Sequence, residues 1–449
     1  MTSSDIIVAP ATAVGSGAIA IIRISGRNCL DLVFPFMRIS SDIVESHRFY
    51  YGLFTDKDNV VDEVMFVFMA SPHTFTAEDT VEVHCHNNRF IVEKIIDVIV
   101  AAGARIAEPG EFTRRAFLNG RIDLAKAEAV ADLINAQSSS AARIAVEQLT
   151  GKLSRIIFQY RDLLLEMLSL VEAYVDFPED DFELPHVSLL SDKGYYLKEQ
   201  LSTVIASFDE GRMVKDGLSV VILGKPNVGK SSILNRILGV ERAIVTDIPG
   251  TTRDIIEESI ILHGVVLRFA DTAGIRSTYD IVERDGVQRA LNKLSSSDLV
   301  LYVVDSSNCL SIPDFLSGPE APPFIVVVNK IDLYSGVSTE QKFPFPVVRV
   351  SAKTGAGFPE LYDEIGSVLA VGNSGSCESF MLSDRRHRCA LISCLNAVDE
   401  FLAELDCCVS PEFLALYLRD ALQALGQITG ETTPDDVLNS IFSRFCIGK

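Results

Sequence analysis

The sequence has no excess of positive charge: 40 Lys and Arg stand against 61 Asp and Glu, a formal net charge of -21. Broad adhesion to nucleic acid needs a basic face that displaces counterions, so any RNA contact must be local or shared with a partner. A metal-type C-x-x-C pair is also missing. The nine cysteines are scattered and odd in number, which argues against a disulfide framework and favours a reducing compartment. No apolar run reaches the roughly 18 residues of a membrane span. Asp5 and no basic stretch precede the first apolar residues, so a secretory leader is not expected either. These absences predict a soluble, cytoplasmic protein with no membrane partner. At 449 residues, 48% of them hydrophobic and 22% charged, the chain has material for about three ordinary globular domains.

The stretch around which the chain is organised is Val220 to Leu238, where a β-rich apolar run meets Gly224-Lys225-Pro226-Asn227-Val228-Gly229-Lys230-Ser231-Ser232 and then apolar residues at helical spacing. G-x-x-x-x-G-K-S between a strand and a helix is a nucleotide phosphate loop. Its glycines let backbone N–H groups face one anion at the positive end of the helix. Lys230 is placed to reach the β and γ phosphates and Ser231 to ligate Mg2+.

Three further motifs follow in G-protein order. Asp271-Thr272-Ala273-Gly274 ends the run Val265 to Ala270 and offers a carboxylate to the magnesium shell and an N–H to the γ phosphate. Asn329-Lys330-Ile331-Asp332 ends the run Phe324 to Val328, and the Asp332 carboxylate can accept from both N1–H and the 2-amino group of guanine. Ser351-Ala352-Lys353 follows Val347 to Val350 and would meet the guanine carbonyl through the Ala352 N–H. Together they predict GTP.

Between the first two motifs lies a polar loop, Thr246-Asp247-Ile248-Pro249-Gly250-Thr251-Thr252, with Thr252 the candidate second magnesium ligand. The glutamine that Ras-like enzymes place just after D-x-x-G is here Ile275, which cannot orient water. Glu283 is the nearby carboxylate that could do so; a first-turn helix charge is the other reading of it.

Upstream, short β-type runs (18–24, 48–54, 63–69 and 80–84) and a helical stretch at 90–102 predict an α+β domain over residues 1–118. Gly15-x-Gly17-x-x-Ala20 imitates a dinucleotide fingerprint but leads into strand-like residues rather than a helix, which excludes a flavin or nicotinamide site of that type. Helical spacing then runs through 123–137, 140–175 and 189–212, and resumes at 384–405, 411–425 and 434–442, with Thr433 as N-cap and Pro434 at the first helical position of the last. The boundaries that follow are 1–118, a helical part over 119–215, a G domain over 216–372, and a second helical part over 373–449. The fold class is an α/β P-loop GTPase domain inserted in an all-α helical domain, preceded by an α+β domain.

With these residues in view, the chain resembles the tRNA modification GTPase family MnmE, also called TrmE, from its first residues to its last. The specific marks are Pro226-Asn227-Val228-Gly229-Lys230-Ser231-Ser232, the run 246–254, Pro109-Gly110-Glu111-Phe112-Thr113-Arg114-Arg115-Ala116-Phe117-Leu118-Asn119-Gly120, and the terminal Phe445-Cys446-Ile447-Gly448-Lys449. The resemblance implies that the N-terminal domain binds folate and dimerises. It implies a homodimer that works with an FAD-binding partner of the MnmG type, as a heterotetramer, to place a carboxymethylaminomethyl or aminomethyl group on C5 of the wobble uridine (U34) of certain tRNAs. FAD enters only through that partner. By the same resemblance Arg23, Glu82, Arg121 and Lys449 hold 5-formyltetrahydrofolate or a related one-carbon folate. Glu283 is the catalytic glutamate, and Asn227, Thr246, Ile248 and Thr251 ligate K+. Cys446 is either a nucleophile in one-carbon chemistry or a packing residue. Asn87 and Asn88 stand where the family usually has two glycines, and Arg121 where a lysine is also found. A competing reading of the G domain alone is a ribosome-assembly switch GTPase, which usually carries a basic RNA-binding module; here the longest basic run is Arg385-Arg386-His387-Arg388.

Overall fold

The computed structural model describes all residues except 1–4, 14, 16, 41–42, 177–186, 241–257, 270–296, 308–311, 314–315, 317, 319–321, 334–342, 371–380 and 407–410. They form two compact units, one of residues 1–134, 147–168 and 419–449, the other of 135–146 and 169–418. No helix among the described residues is long and apolar enough to cross a membrane.

The first unit is built on seven strands: β1 (Ile7–Pro10), β2 (Ile19–Ser25), β3 (Met37–Ile39), β4 (Arg48–Asp56), β5 (Asn59–Met69), β6 (Thr80–His86) and β7 (Arg105–Ile106). Their order is β3-β4-β5-β6-β2-β1-β7, antiparallel except for the β1/β7 pair. Alternation sets the faces: in β2, Ala20, Ile22 and Ile24 are buried against the helix Arg89–Ala101, whose Val92, Ile95 and Ile99 cover that side. Arg23 therefore projects from the opposite face, and the register places it directly across from Glu82 of β6. Gly15 and Gly17 lead into β2, as the strand-like residues after them predict. Three strands escape the pattern reading because they are short: β1 has four residues, the last a proline, β3 has three, and β7 is an exposed two-residue strand.

The same unit holds helices Glu111–Leu118, Leu124–Asn135 and Asp435–Phe442, joined through buried Leu124, Ala127, Leu438, Phe442 and Phe445. The last helix corrects the expected cap. Pro434 is extended (φ -62°, ψ 149°) and itself precedes the first helical residue, Asp435, while the Thr433 hydroxyl donates to the Gln427 carbonyl instead of capping. Two other helices are shorter than their periodicity suggests. The run 140–175 divides into Ser139–Leu149 and Lys152–Asp176 at Gly151, which sits at φ +82°, and the run 189–212 divides into Val187–Ala206 and Phe208–Asp216.

The second unit is centred on β8 (Leu218–Gly224), β9 (Glu258–Leu262), β10 (Val265–Phe269), β11 (Leu299–Asp305), β12 (Phe324–Asn329) and β13 (Val347–Arg349), in the order β13-β12-β11-β8-β10-β9. All pairs are parallel but β9/β10. The parallel strands read as continuous apolar runs because helices such as Lys230–Val240 and Phe358–Ala370 cover the sheet; six of the seven residues of β11 are buried. β8 lies between β10 and β11, so the chain leaves it in both directions and its carboxyl end opens a crevice.

Candidate functional site

The phosphate-loop sequence occupies that crevice, between the end of β8 and the helix starting at Lys230. Gly229 sits at φ +99°, and a Cβ there would overlap the Asn329 side-chain amide, so only glycine lets the loop approach the Asn329 motif this closely. The Lys230 ammonium donates to the carbonyls of Gly224 (3.0 Å) and Lys225 (2.9 Å), and burial lowers its pKa. These are neutral acceptors that a phosphate oxygen can replace.

Asn329, Lys330 and Asp332 tie the end of β12 to the phosphate loop, the end of β11 and the 351–353 motif. The Asn329 amide donates to the Val228 carbonyl (2.8 Å) and its oxygen accepts from the Ala352 N–H (3.1 Å), which joins the phosphate loop to the 351–353 motif. The Lys330 ammonium donates to the Asn227 carbonyl (2.8 Å) and pairs with Asp305 (2.6 Å). Lys330, and the Ser307 donors after it, hold the Asp305 carboxyl down to about 2. Asp332 accepts from the Ser351 hydroxyl at 2.6 Å, which ties one carboxylate oxygen to the 351–353 motif. Arg236, on the helix after the phosphate loop, donates to the Thr354 carbonyl and so braces the 351–357 turn. The structure thus gathers Gly224, Asn227, Val228, Gly229, Lys230, Ser231, Ser232, Asn329, Lys330, Asp332, Ser351, Ala352 and Lys353 at the carboxyl ends of β8, β12 and β13. Asp305 and Arg236 were not visible as site residues, because neither belongs to a motif. Thr246, Asp247, Ile248, Pro249, Gly250, Thr251, Thr252, Asp271, Thr272, Ala273, Gly274 and Glu283 lie outside the described residues.

A second cluster lies in the first unit. The Arg23 guanidinium bonds the Glu82 carboxylate at 2.9 Å and stands over the rings of Phe75 (5.4 Å) and Phe112 (5.8 Å). Arg121 stacks on Phe75 as well (5.3 Å) and donates to its carbonyl. His84, at 3.4 Å, and then Arg23 hold the Glu82 carboxyl below the usual range against the effect of burial. Lys449 is half-buried beside them: burial and the like charge of Arg23 lower its pKa, while Cys446 and Glu82 oppose the shift. Arg23, Glu82, Arg121 and Lys449 therefore come together. The aromatic floor, Phe75 and Phe112, and the His84 contact were not legible, since nothing in their spacing marks them.

The C-terminal tail reaches this cluster by backbone contacts. Gly110 N–H donates to the Cys446 carbonyl (3.4 Å) and Phe112 N–H to the Lys449 carbonyl (3.2 Å), so the 109–120 segment and the terminal residues dock on each other. Gly448 sits at φ +93°, where a Cβ would overlap the Pro10 carbonyl oxygen. The helix under the tail is anchored by Arg115, only 3% exposed, which pairs with Asp5, Glu78 and Glu111. Cys446 itself is exposed. Asn87 and Asn88 need no left-handed backbone. Asn88 is extended and caps the helix Arg89–Ala101 by accepting from Phe90 N–H (2.9 Å), while Asn87 donates to the Ala13 carbonyl (3.2 Å) and accepts from Gly15 N–H (3.4 Å).

Comparison with known proteins covers the whole chain. The family model described as the MnmE helical domain matches residues 124–446, and that described as the GTP-binding protein TrmE N-terminus matches residues 6–121. The chain is 47% identical over 456 residues to the tRNA modification GTPase MnmE of Syntrophotalea carbinolica, covering 100% of both chains. The protein of the same name from Geobacter sulfurreducens is 45% identical over 456 residues and that from Acetivibrio thermocellus 40% identical over 459, again with 100% of each chain covered.

Proposed function

The chain belongs to the MnmE family of tRNA modification GTPases, and from that premise we propose that it is the GTP-hydrolysing component of a complex that modifies C5 of the wobble uridine, U34. It adds a carboxymethylaminomethyl or aminomethyl group in the cytoplasm, acting as a homodimer with an FAD-binding partner of the MnmG type. The observation that carries the nucleotide part is the Asn329 side chain bridging Val228 and Ala352, which brings a phosphate loop and a base-reading loop to one crevice. GTP binds there with Lys230 on its phosphates and Asp332 on its base; Ser231 and Thr252 ligate Mg2+, with Asp271 in its outer shell. Asn227, Thr246, Ile248 and Thr251 hold K+, which supplies positive charge where an arginine finger acts in other GTPases. Glu283 orients the attacking water.

The cluster in the first unit takes the one-carbon donor, 5-formyltetrahydrofolate or a relative. Its chemistry suits that ligand: Arg121 and Lys449 offer cations to the glutamate carboxylates, and Phe75 offers a flat apolar face. Glu82 is already engaged by Arg23, so it serves as an oriented acceptor held in place rather than as a loose carboxylate. Cys446 stands beside this cluster as the candidate group for one-carbon chemistry.

Folate affinity is accordingly expected to depend on the tail. Gly448→Ala keeps the Lys449 charge but lifts the tail off Pro10, and removal of residues 446–449 deletes it. Titration of 5-formyltetrahydrofolate into either variant should show affinity reduced by roughly tenfold or more, the loss of one charge-assisted contact. Wild-type affinity in both would remove the tail from the pocket.

A further inference from the structure

We propose that Asp305 is a positioning residue for the nucleotide: it holds Lys330, and through Lys330 the Asn227 backbone of the phosphate loop, in the arrangement that retains a guanine nucleotide. The proposal rests on the guanine-site reading above and adds a residue that no nucleotide motif contains. Asp305 ends β11 directly opposite Asn329, the last residue of β12. One carboxylate oxygen pairs with the Lys330 ammonium at 2.6 Å; the other accepts from Ser307 N–H (3.0 Å) and the Ser307 hydroxyl (2.8 Å), so the carboxylate is fixed from its far side. Ser306 N–H donates to the Asn329 carbonyl (2.9 Å) and the Ser306 hydroxyl to the Lys330 carbonyl (3.0 Å). Residues 305–307 thus grip both the backbone and the side chain of the motif.

That grip has a physical reason. Lys330 (φ +67°) and Asn227 (φ +62°) both adopt left-handed backbone, which asparagine takes readily and lysine seldom does, so the contacts that hold Lys330 carry the strain. The Lys330 ammonium joins the two directly by donating to the Asn227 carbonyl, and Asp305 is the other partner that holds it. An exposed ion pair would contribute little. Here the side chains of Lys330 and Asp305 are 33% and 14% exposed, and the ammonium has a second fixed partner, so the pair is shielded and directional. Without the Asp305 charge, the ammonium keeps only the Asn227 carbonyl, and the contact between the two loops that close on the nucleotide loses the partner that holds the ammonium in place.

The test uses the full-length protein and a fluorescent GDP analogue, with release followed by stopped flow. Asp305→Asn keeps the shape and the Ser307 acceptor but removes the charge. Release should accelerate roughly ten- to hundredfold, with KM for GTP rising more than kcat falls. Guanine-over-xanthine preference should survive, unlike in Asp332→Asn. Lys330→Gln should quicken release too, and the double variant should be no faster than Lys330→Gln alone, because the two residues act as one device. Release by Asp305→Asn within about twofold of wild type, or additive effects in the double variant, would overturn the proposal. Should Asp305→Asn not fold, Ser306→Ala removes one of the backbone contacts, and unchanged release there would overturn it as well. A wild-type protein without guanine preference would overturn the base-site reading itself; intact preference with indifferent Asp305 variants would overturn only the positioning role.

Discussion

Asp332→Asn is expected to turn a guanine-specific protein into one that prefers xanthine nucleotides, with GTP affinity reduced by as much as about 10⁴. Guanine presents two donors, N1–H and the 2-amino group, and a carboxylate presents two acceptors. An amide offers one acceptor and one donor, so one guanine donor meets a donor and is left buried without a partner. Xanthine replaces the 2-amino group by a carbonyl, which restores the match. The Ser351 hydroxyl donates to the Asp332 carboxylate at 2.6 Å, and rotating an amide in its place only exchanges its one acceptor and one donor, so guanine still lacks a second acceptor. Binding of GDP and XDP to wild type and variant, measured side by side by titration, checks this. A variant that binds guanine nucleotide as tightly as wild type would show that the base site lies elsewhere.

The second large effect concerns hydrolysis, which should require potassium, contact between two G domains, and Glu283. Ile275 carries no group that can orient water, and the sequence marks no arginine as a finger held in cis. Asn227 stands in the phosphate loop with its backbone held by Lys330, and the 246–251 run follows at the distance in sequence of a switch loop. Hard neutral oxygens from these residues suit a large monovalent cation. Two such loops meeting across a dimer would exclude water and strengthen the field of the ion on the transferring phosphoryl group. An arginine finger in this role is worth roughly 10³ to 10⁵ in rate, and an effective substitute should approach the lower end of that range. Sodium is smaller and spans the same oxygens poorly. GTP turnover in potassium and in sodium at fixed ionic strength, across protein concentration, should differ strongly for wild type and little for Asn227→Ala. Glu283→Ala should be slow in both salts. Equal wild-type rates in the two salts would remove the ion from the mechanism, and an undiminished rate in Glu283→Ala would leave that residue a helix charge.

The candidate nucleotide site could be proposed from sequence because its residues fall in runs of consecutive positions at strand ends. Gly229, Asn329, Asp332 and Ala352 could be placed from local patterns alone, and the structure brings them to one crevice. What joins those runs was not legible. Asp305 and Lys330 are 25 residues apart and meet only because β11 and β12 end in register. The same limit holds in the first unit, where Arg23 and Glu82 face each other through a β2/β6 register that periodicity does not specify. Phe75 and Phe112 come under Arg23 from a loop and a helix. Element types were read well where the apolar pattern was long, as in β5 and the helix Arg89–Ala101. Their bounds were misread where a single residue ended the pattern: Gly151 divides one helical run in two, and the helix after Pro434 starts one residue later than propensity suggests. The backbone bonds from Gly110 and Phe112 to Cys446 and Lys449 join two segments far apart in the chain, a contact that neither segment marks in sequence.

The central claim is that GTP hydrolysis by this chain serves modification of the wobble uridine. It is tested most directly by mass analysis of nucleosides from tRNA of cells that lack the protein and of the same cells supplied with wild type or with Gly229→Ala, whose added Cβ would collide with Asn329. Loss of 5-carboxymethylaminomethyl- and 5-aminomethyl-type uridines, restored by wild type and not by the variant, is the predicted result. An unchanged wobble-uridine profile in cells without the protein would contradict it.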